Sequence, residues 1–68
     1  MDELHKLHKI HSWMWETEKR YPGRPDGENA WEDIIQTASE LAEDLELKQG
    51  SYERRLIALF MQAKEMRE

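Results

Sequence analysis

The sequence contains no cysteine among its 68 residues. This absence excludes disulfides, thiolate metal sites and cysteine nucleophiles, and it is compatible with a reducing compartment. Long apolar runs are also lacking, because no stretch approaches the roughly 20 residues that a membrane-spanning helix needs. The N-terminal segment MDELHKLHKI has no apolar region of the kind found in signal peptides. We therefore expect a soluble, cytoplasmic protein with no membrane partner.

Proline and glycine are scarce, and most of them lie in one segment. Both prolines and two of the three glycines fall within residues 21–28, YPGRPDGE, where a helix has to stop. Elsewhere the apolar residues recur at three- and four-residue spacing, which indicates helices at about 2–20, 29–46 and 51–66. The sequence predicts an all-α fold in which residues 1–68 form one domain, a small three-helix bundle whose last two helices make a helical hairpin.

Each predicted helix has an apolar face, and the three faces define the expected core. The first face consists of Leu4, Leu7, His11, Met14 and Glu18, flanked by Ile10 and Trp15. The second consists of Trp31, Ile34, Ile35, Ala38, Leu41, Ala42 and Leu45. The third consists of Tyr52, Leu56, Leu59, Phe60, Ala63 and Met66. Because Ile57 and Met61 lie outside the third face, this helix has more apolar surface than one neighbour can cover.

A break is expected between the second and third helices. Leu45 and Leu47 point about 160° apart in a continued helix, so they share one core only if the chain turns between Glu46 and Gly50. Ser51 is a suitable N-cap for the next helix. Asn29 with Glu32, and Thr37 with Glu40, also have the spacing of helix caps, so a new helix at Thr37 and one continuous helix over 29–46 are both open.

Residues 37–56, TASELAEDLELKQGSYERRL, resemble the helix-turn-helix family. The resemblance rests on six apolar residues at the family's buried positions, with Arg54 and Arg55 on the second helix; the six are Leu41, Ala42, Leu45, Leu47, Tyr52 and Leu56. In this chain Glu46 stands where the family has glycine. The resemblance implies a helix-turn-helix-like corner, and the alternative is an ordinary antiparallel helical hairpin.

Charge and the lack of catalytic motifs favour a binding function. The net charge is −5, and residues 29–49 hold six acidic residues against a single lysine. An acidic balance disfavours non-specific binding to nucleic acid, which depends on neutralising phosphates. No serine, threonine or lysine lies in a glycine-framed turn beside a base. We therefore expect a non-enzymatic regulator, adaptor or inhibitor without a cofactor, which binds another protein and forms a homodimer.

The expected partner-binding surface combines apolar and acidic residues. Trp13 lies outside the apolar face and beside Arg20, and an exposed tryptophan near arginine is typical of an interface hot spot. Ile57 and Met61 supply the surplus apolar surface of the third helix. Glu40, Glu43 and Asp44 on the second helix would face a basic partner.

Two other functions remain open at this point. As a helix-turn-helix transcriptional regulator, the chain would contact DNA through Gln49, Ser51, Arg54 and Arg55.

A metal-dependent function is the third possibility. His8 and His11 are one helical turn apart and could share a metal ion, but the spacing favours a His11 packed in the core with its ring hydrogen-bonded. Glu40-x-x-Glu43 with Glu65-x-x-Glu68 resembles the magnesium motifs of all-α nucleotide pyrophosphohydrolases, and this resemblance implies a magnesium-dependent helical enzyme.

Overall fold

The computed structural model describes residues 2–67, which form three α-helices and no strand. The helices are α1 (Glu3–Arg20), α2 (Glu28–Asp44) and α3 (Tyr52–Glu65). The predicted all-α three-helix bundle is confirmed, and every helix end lies within two residues of its predicted position. Within residues 2–67, no helix combines the length and the apolar character required to cross a membrane.

Helix α1 packs against both other helices. Its Trp13 ring meets Phe60 of α3 edge-on, with 5.3 Å between the ring centroids. On the other side, Trp13 Nε1 donates a hydrogen bond of 3.0 Å to Thr37 Oγ1 of α2. Near the C-terminal end of α1, Glu18 pairs with Lys64 close to the C-terminal end of α3, so α1 and α3 run in the same direction.

The core lies where the three helices meet the α2–α3 connection. Its buried residues are Ile10, Ala38, Ala42, Leu45, Leu47 and Ile57, with Trp13, Met14, Leu41 and Met61 packed around them. The predicted face of α2 is largely confirmed, because Ile34, Ala38, Ala42 and Leu45 are buried. The exception is Ile35, which is 53% exposed.

The predicted face of α1 is correct in part, since Met14 and the flanking Ile10 pack in the core, but its centre is misplaced. Ile10 and Thr17 are the buried residues of this helix, whereas Leu4 and His11 are exposed. The inward face is rotated by roughly a quarter of a turn from the predicted one. The rotation brings Trp13 into the core and removes the expected packed position of His11.

The predicted face of α3 is also wrong. Ile57 and Lys64 are its buried residues, while Tyr52, Leu59 and Met66 are exposed. Hydrogen bonds of Lys64 account for this orientation of α3. Lys64 faces inward because Glu18 and the Tyr21 carbonyl bind its ammonium group. This orientation turns the more regular apolar stripe of α3 toward solvent.

The helix starts differ in how they are capped. Ser51 is the N-cap of α3 as expected, since its Oγ accepts a hydrogen bond of 3.3 Å from the Arg54 N–H. Helix α2 instead begins after Gly27 and has no side-chain cap, so the Asn29 cap is wrong. Thr37 lies inside a continuous α2, and its hydroxyl donates to the Ile34 carbonyl. The interpretation with one continuous helix is therefore correct.

The corner after α2 closes with a left-handed residue. Glu46 has a φ of +53°. The Glu46 N–H donates to the Glu43 carbonyl, and the Leu47 N–H donates to the Ala42 carbonyl. These two hydrogen bonds form a Schellman motif, which ends a helix and reverses the chain. Leu47 is thereby returned to the core, as the sequence predicts.

Candidate functional site

Trp13 does not form the exposed hot spot predicted from the sequence. Its ring is half-buried between Phe60 and the core, and its only side-chain donor is bound to Thr37. The prediction placed Trp13 on the charged side of α1, but the rotation of this helix turns it inward. Trp13 therefore stabilises the bundle, and its assignment to a partner surface loses its basis.

Of the other two apolar residues predicted to bind a partner, one faces inward. Ile57 belongs to the buried core, so its predicted exposure is wrong. Met61 is half-buried and lines a surface groove between α2 and α3. Met61 is thus the apolar residue of the predicted set that stays available to a ligand.

The charged residues of the predicted partner surface lie in two places. Glu40, Glu43 and Asp44 are exposed near the C-terminal end of α2. Arg20 lies at the end of α1, where its Nη1 is 3.1 Å from Asp33 Oδ2. The structure therefore does not bring Arg20 together with Met61 or with the three acidic residues.

The residues predicted to contact DNA lie at the corner and the start of α3. Gln49 and Arg55 are exposed. Ser51 is occupied as the N-cap, and Arg54 Nε donates a hydrogen bond of 3.1 Å to the Leu47 carbonyl. Arg54 thus ties α3 to the corner, and Arg55 remains the exposed cation of the pair.

The residues predicted to hold a metal ion lie on different helices, except that His8 and His11 stay one helical turn apart on α1. His8 and His11 are both exposed on α1. Among residues 2–67, no three or more histidine or acidic side chains come close enough to hold an ion. Glu68, the last residue of the predicted magnesium motif, lies outside the described residues.

A concave surface lies in a groove between α2 and α3. Its volume is about 520 Å³, and it is lined by Trp31, Ile35, Ala58, Met61, Gln62 and Glu65. A smaller depression of about 190 Å³ continues from it toward the corner, past Ala38, Ala42 and Arg54. Together they form an apolar channel along the two helices, which we call the α2–α3 groove.

Acidic residues border the α2–α3 groove. Glu28, Glu32 and Glu43 are exposed and, by helical register, lie beside the groove-lining residues of α2. On α3, Glu65 belongs to the lining. The cation in the lining, Arg54, is held by the Leu47 carbonyl. Arg54 keeps its charge, and the exposed Arg55 lies one turn before Ala58, but the acidic side chains outnumber these two cations. The surplus of negative charge favours a basic ligand.

An ion pair between the buried Lys64 and the half-buried Glu18 joins α3 to α1. Lys64 is fully buried, and its Nζ lies 2.9 Å from Glu18 Oε1 and 2.6 Å from the Tyr21 carbonyl oxygen. Arg67 Nη1 contacts the same carboxylate oxygen at 2.6 Å, and the Gly23 N–H donates to Oε2. Because these donors stabilise the charged carboxylate, they lower the pKa of Glu18 to about 2.

A second polar cluster fixes the loop against α2. The Tyr21 hydroxyl donates a hydrogen bond of 2.8 Å to Asp33 Oδ2, which also accepts one from Arg20. The hydrogen bond from Tyr21 and then the one from Arg20 lower the pKa of Asp33, while the bond to Asp33 raises the pKa of Tyr21. With the Lys64 cluster, these bonds hold the C-terminal end of α1 and the loop against α2 and α3.

Acid is expected to weaken the bundle through Glu18. Since its pKa falls from 4.5 to about 2 on folding, Glu18 contributes stability above pH 4.5, and this contribution is lost as the pH falls toward 2. We expect Glu18→Gln to be less stable than the wild type at pH 6 and nearly equal to it near pH 2. Thermal unfolding followed by circular dichroism would measure both. Glu16→Gln is the control. The prediction would be contradicted if the stability lost in Glu18→Gln, relative to the wild type, depended on pH no more than the stability lost in Glu16→Gln.

Comparison with protein-family models, curated proteins and solved structures gives no match. Functional inference therefore rests on the geometry of this chain. The sequence does not predict the α2–α3 groove, because apolar periodicity places Trp31 and Ile35 in the core. Ile35 lies at the edge of the narrow apolar face of α2, and this position is the available signal.

Proposed function

We propose that this protein is a small acidic, non-enzymatic regulator, adaptor or inhibitor that acts by binding another protein in the α2–α3 groove. The observation that carries the proposal is an open apolar channel of about 520 Å³ with an acidic border. Ile35 is 53% exposed in this channel, and Trp31 and Met61 are half-buried beside it. Tryptophan and methionine are enriched at the centres of protein interfaces.

The groove has the shape and chemistry to bind a basic amphipathic helix. It runs between two helices, so a third helix can lie along it and insert apolar residues at i, i+3, i+4 and i+7. Glu28, Glu32 and Glu43 would then face lysine or arginine residues that flank the apolar stripe of the ligand. Charge complementarity of this kind raises the association rate and selects against acidic partners.

Binding of a synthetic helix tests this proposal directly. We expect an amphipathic peptide of leucine and lysine to bind the wild-type protein, and a leucine and glutamate peptide of the same pattern not to bind. Ile35→Lys should weaken binding of the basic peptide by about 100-fold or more, because it places a cation in the groove. Isothermal titration calorimetry would measure both affinities.

Leu59→Lys is the matched control for Ile35→Lys. Leu59 is also 53% exposed, but it lies on a different face of α3. The two variants therefore change charge and apolar exposure equally. Equal loss of peptide binding in both variants, or none in Ile35→Lys, would overturn the assignment of the groove. Capture of a natural partner from lysate should likewise be lost in Ile35→Lys and retained in Leu59→Lys.

Binding to DNA as a helix-turn-helix regulator is the second candidate, and the corner at Glu46 is the observation that favours it. Gln49 and Arg55 are exposed beside the corner and would contact DNA. Against it, seven residues separate α2 from α3, and Glu43, Glu46 and Glu53 lie nearby. Retention of random duplex DNA that is lost in Arg55→Ala and at high salt would favour this candidate over the first.

A further inference from the structure

Helix α3 has a second apolar surface, on the side away from the α2–α3 groove. It consists of Tyr52, Leu56, Leu59, Ala63 and Met66, which we call the α3 stripe. Leu56 is half-buried, whereas Tyr52, Leu59 and Met66 are 66%, 53% and 79% exposed. Large apolar residues this exposed along a single row indicate an interface.

The spacing of the α3 stripe is that of a helix-pairing seam. Its residues follow one another at intervals of four, three, four and three, an average of 3.5 residues. This interval keeps a seam aligned with a neighbouring helix, and it is the repeat found in two-helix coiled coils. The inward residues Ile57 and Lys64 form a different row, so the stripe is surplus to the monomer fold.

Helix α1 extends this apolar surface. Trp15 is 60% exposed and lines a depression between α1 and α3, together with Met14 and Phe60. Because Trp13 meets Phe60, Trp15 lies at the level of the C-terminal half of the stripe. Trp15 therefore adds exposed apolar surface on α1 at this level of the bundle.

We propose that a second copy of this chain covers the α3 stripe, with the two α3 helices packed antiparallel about a two-fold axis. The stripe is self-complementary in this arrangement. When Leu59 faces Ala63 of the second copy, a large residue meets a small one, and Leu56 faces Met66 of the second copy. Such reciprocal contacts are the property of a two-fold interface.

Charge favours the antiparallel orientation over the parallel one. Glu53 and Arg67 lie near opposite ends of α3, each one residue after a member of the stripe. In the antiparallel pair, Glu53 of one copy comes to the same end as Arg67 of the other, where Glu18 already contacts Arg67. Antiparallel helices also bring macrodipole ends of opposite sign together. The α2–α3 groove stays open, so the dimer does not compete with the proposed ligand.

Sedimentation equilibrium tests the dimer. We expect the wild type to form a concentration-dependent dimer and Leu59→Lys to raise the dissociation constant by about 100-fold or more. Ile35→Lys should dimerise like the wild type, and unchanged helical circular dichroism in both variants would show that they fold. A monomeric wild type at about 1 mM, or loss of the dimer in Ile35→Lys alone, would overturn the proposal.

Cross-linking tests the orientation, because the cysteine-free sequence gives any introduced cysteine a unique position. In the antiparallel pair, Leu56→Cys and Met66→Cys chains mixed together should form a disulfide-linked heterodimer. Tyr52→Cys alone should not cross-link, since its two copies lie at opposite ends. Rapid oxidation of Tyr52→Cys to a dimer would instead show a parallel pair and overturn the orientation.

Discussion

Replacing Lys64 by alanine is expected to lower the free energy of unfolding by about 3 kcal/mol. The substitution removes a fully buried ammonium group that binds both Glu18 and the Tyr21 carbonyl, and it leaves a cavity beside Phe60. Glu18 retains Arg67 and Gly23 as partners, which keeps the loss at the lower end for a broken buried ion pair. Urea unfolding followed by circular dichroism would measure it.

Two comparison variants separate the causes of this loss. Lys9 is exposed on α1, so Lys9→Ala should change the free energy of unfolding by less than about 0.5 kcal/mol. Lys64→Met keeps most of the packing volume but not the ion pair. Its loss in free energy of unfolding should lie between those of Lys9→Ala and Lys64→Ala. If Lys64→Ala loses no more free energy of unfolding than Lys9→Ala, then Lys64 does not stabilise the bundle.

Glu46→Gly is expected to raise the free energy of unfolding by about 1 kcal/mol. Glu46 has a φ of +53°, a conformation that costs an L-residue with a side chain and costs glycine little. The gain is partly offset by the greater freedom of glycine in the unfolded chain. The transition midpoint should therefore rise by about 5 °C in thermal unfolding.

Glu43→Gly is the natural control for this substitution. Glu43 is three residues earlier, inside α2 and exposed, where glycine should cost about 1 kcal/mol. The two substitutions are chemically identical and should have opposite signs. A loss of stability in both would mean that residue 46 is helical rather than left-handed.

The corner shows which features of the fold are readable from sequence. Leu45 and Leu47 cannot face one core in a continuous helix, and that conflict predicts a turn between Glu46 and Gly50, where the structure has its left-handed residue at Glu46. The loop over residues 21–28 is equally readable, because its prolines and glycines stop α1. These are local constraints, and the three helices follow from them and from apolar spacing.

The sequence does not predict which faces of α1 and α3 are buried. Apolar periodicity assigns a face by counting apolar residues, and it therefore cannot place Thr17 and Lys64 on the buried side. The ammonium group of Lys64 is satisfied by Glu18 and the Tyr21 carbonyl, which are more than 40 residues away along the chain. The α2–α3 groove depends on the same orientation, so its lining could be assembled only from the folded chain.

The three tryptophans lie in three distinct environments, and this distribution supplies intrinsic optical probes. Trp13 is enclosed beside Thr37, Trp15 is exposed next to the α3 stripe, and Trp31 lines the α2–α3 groove. Retaining one indole and replacing the other two by phenylalanine would give three spectroscopically separate versions of the chain. Their emission would report unfolding, self-association and ligand binding one at a time, without an attached dye.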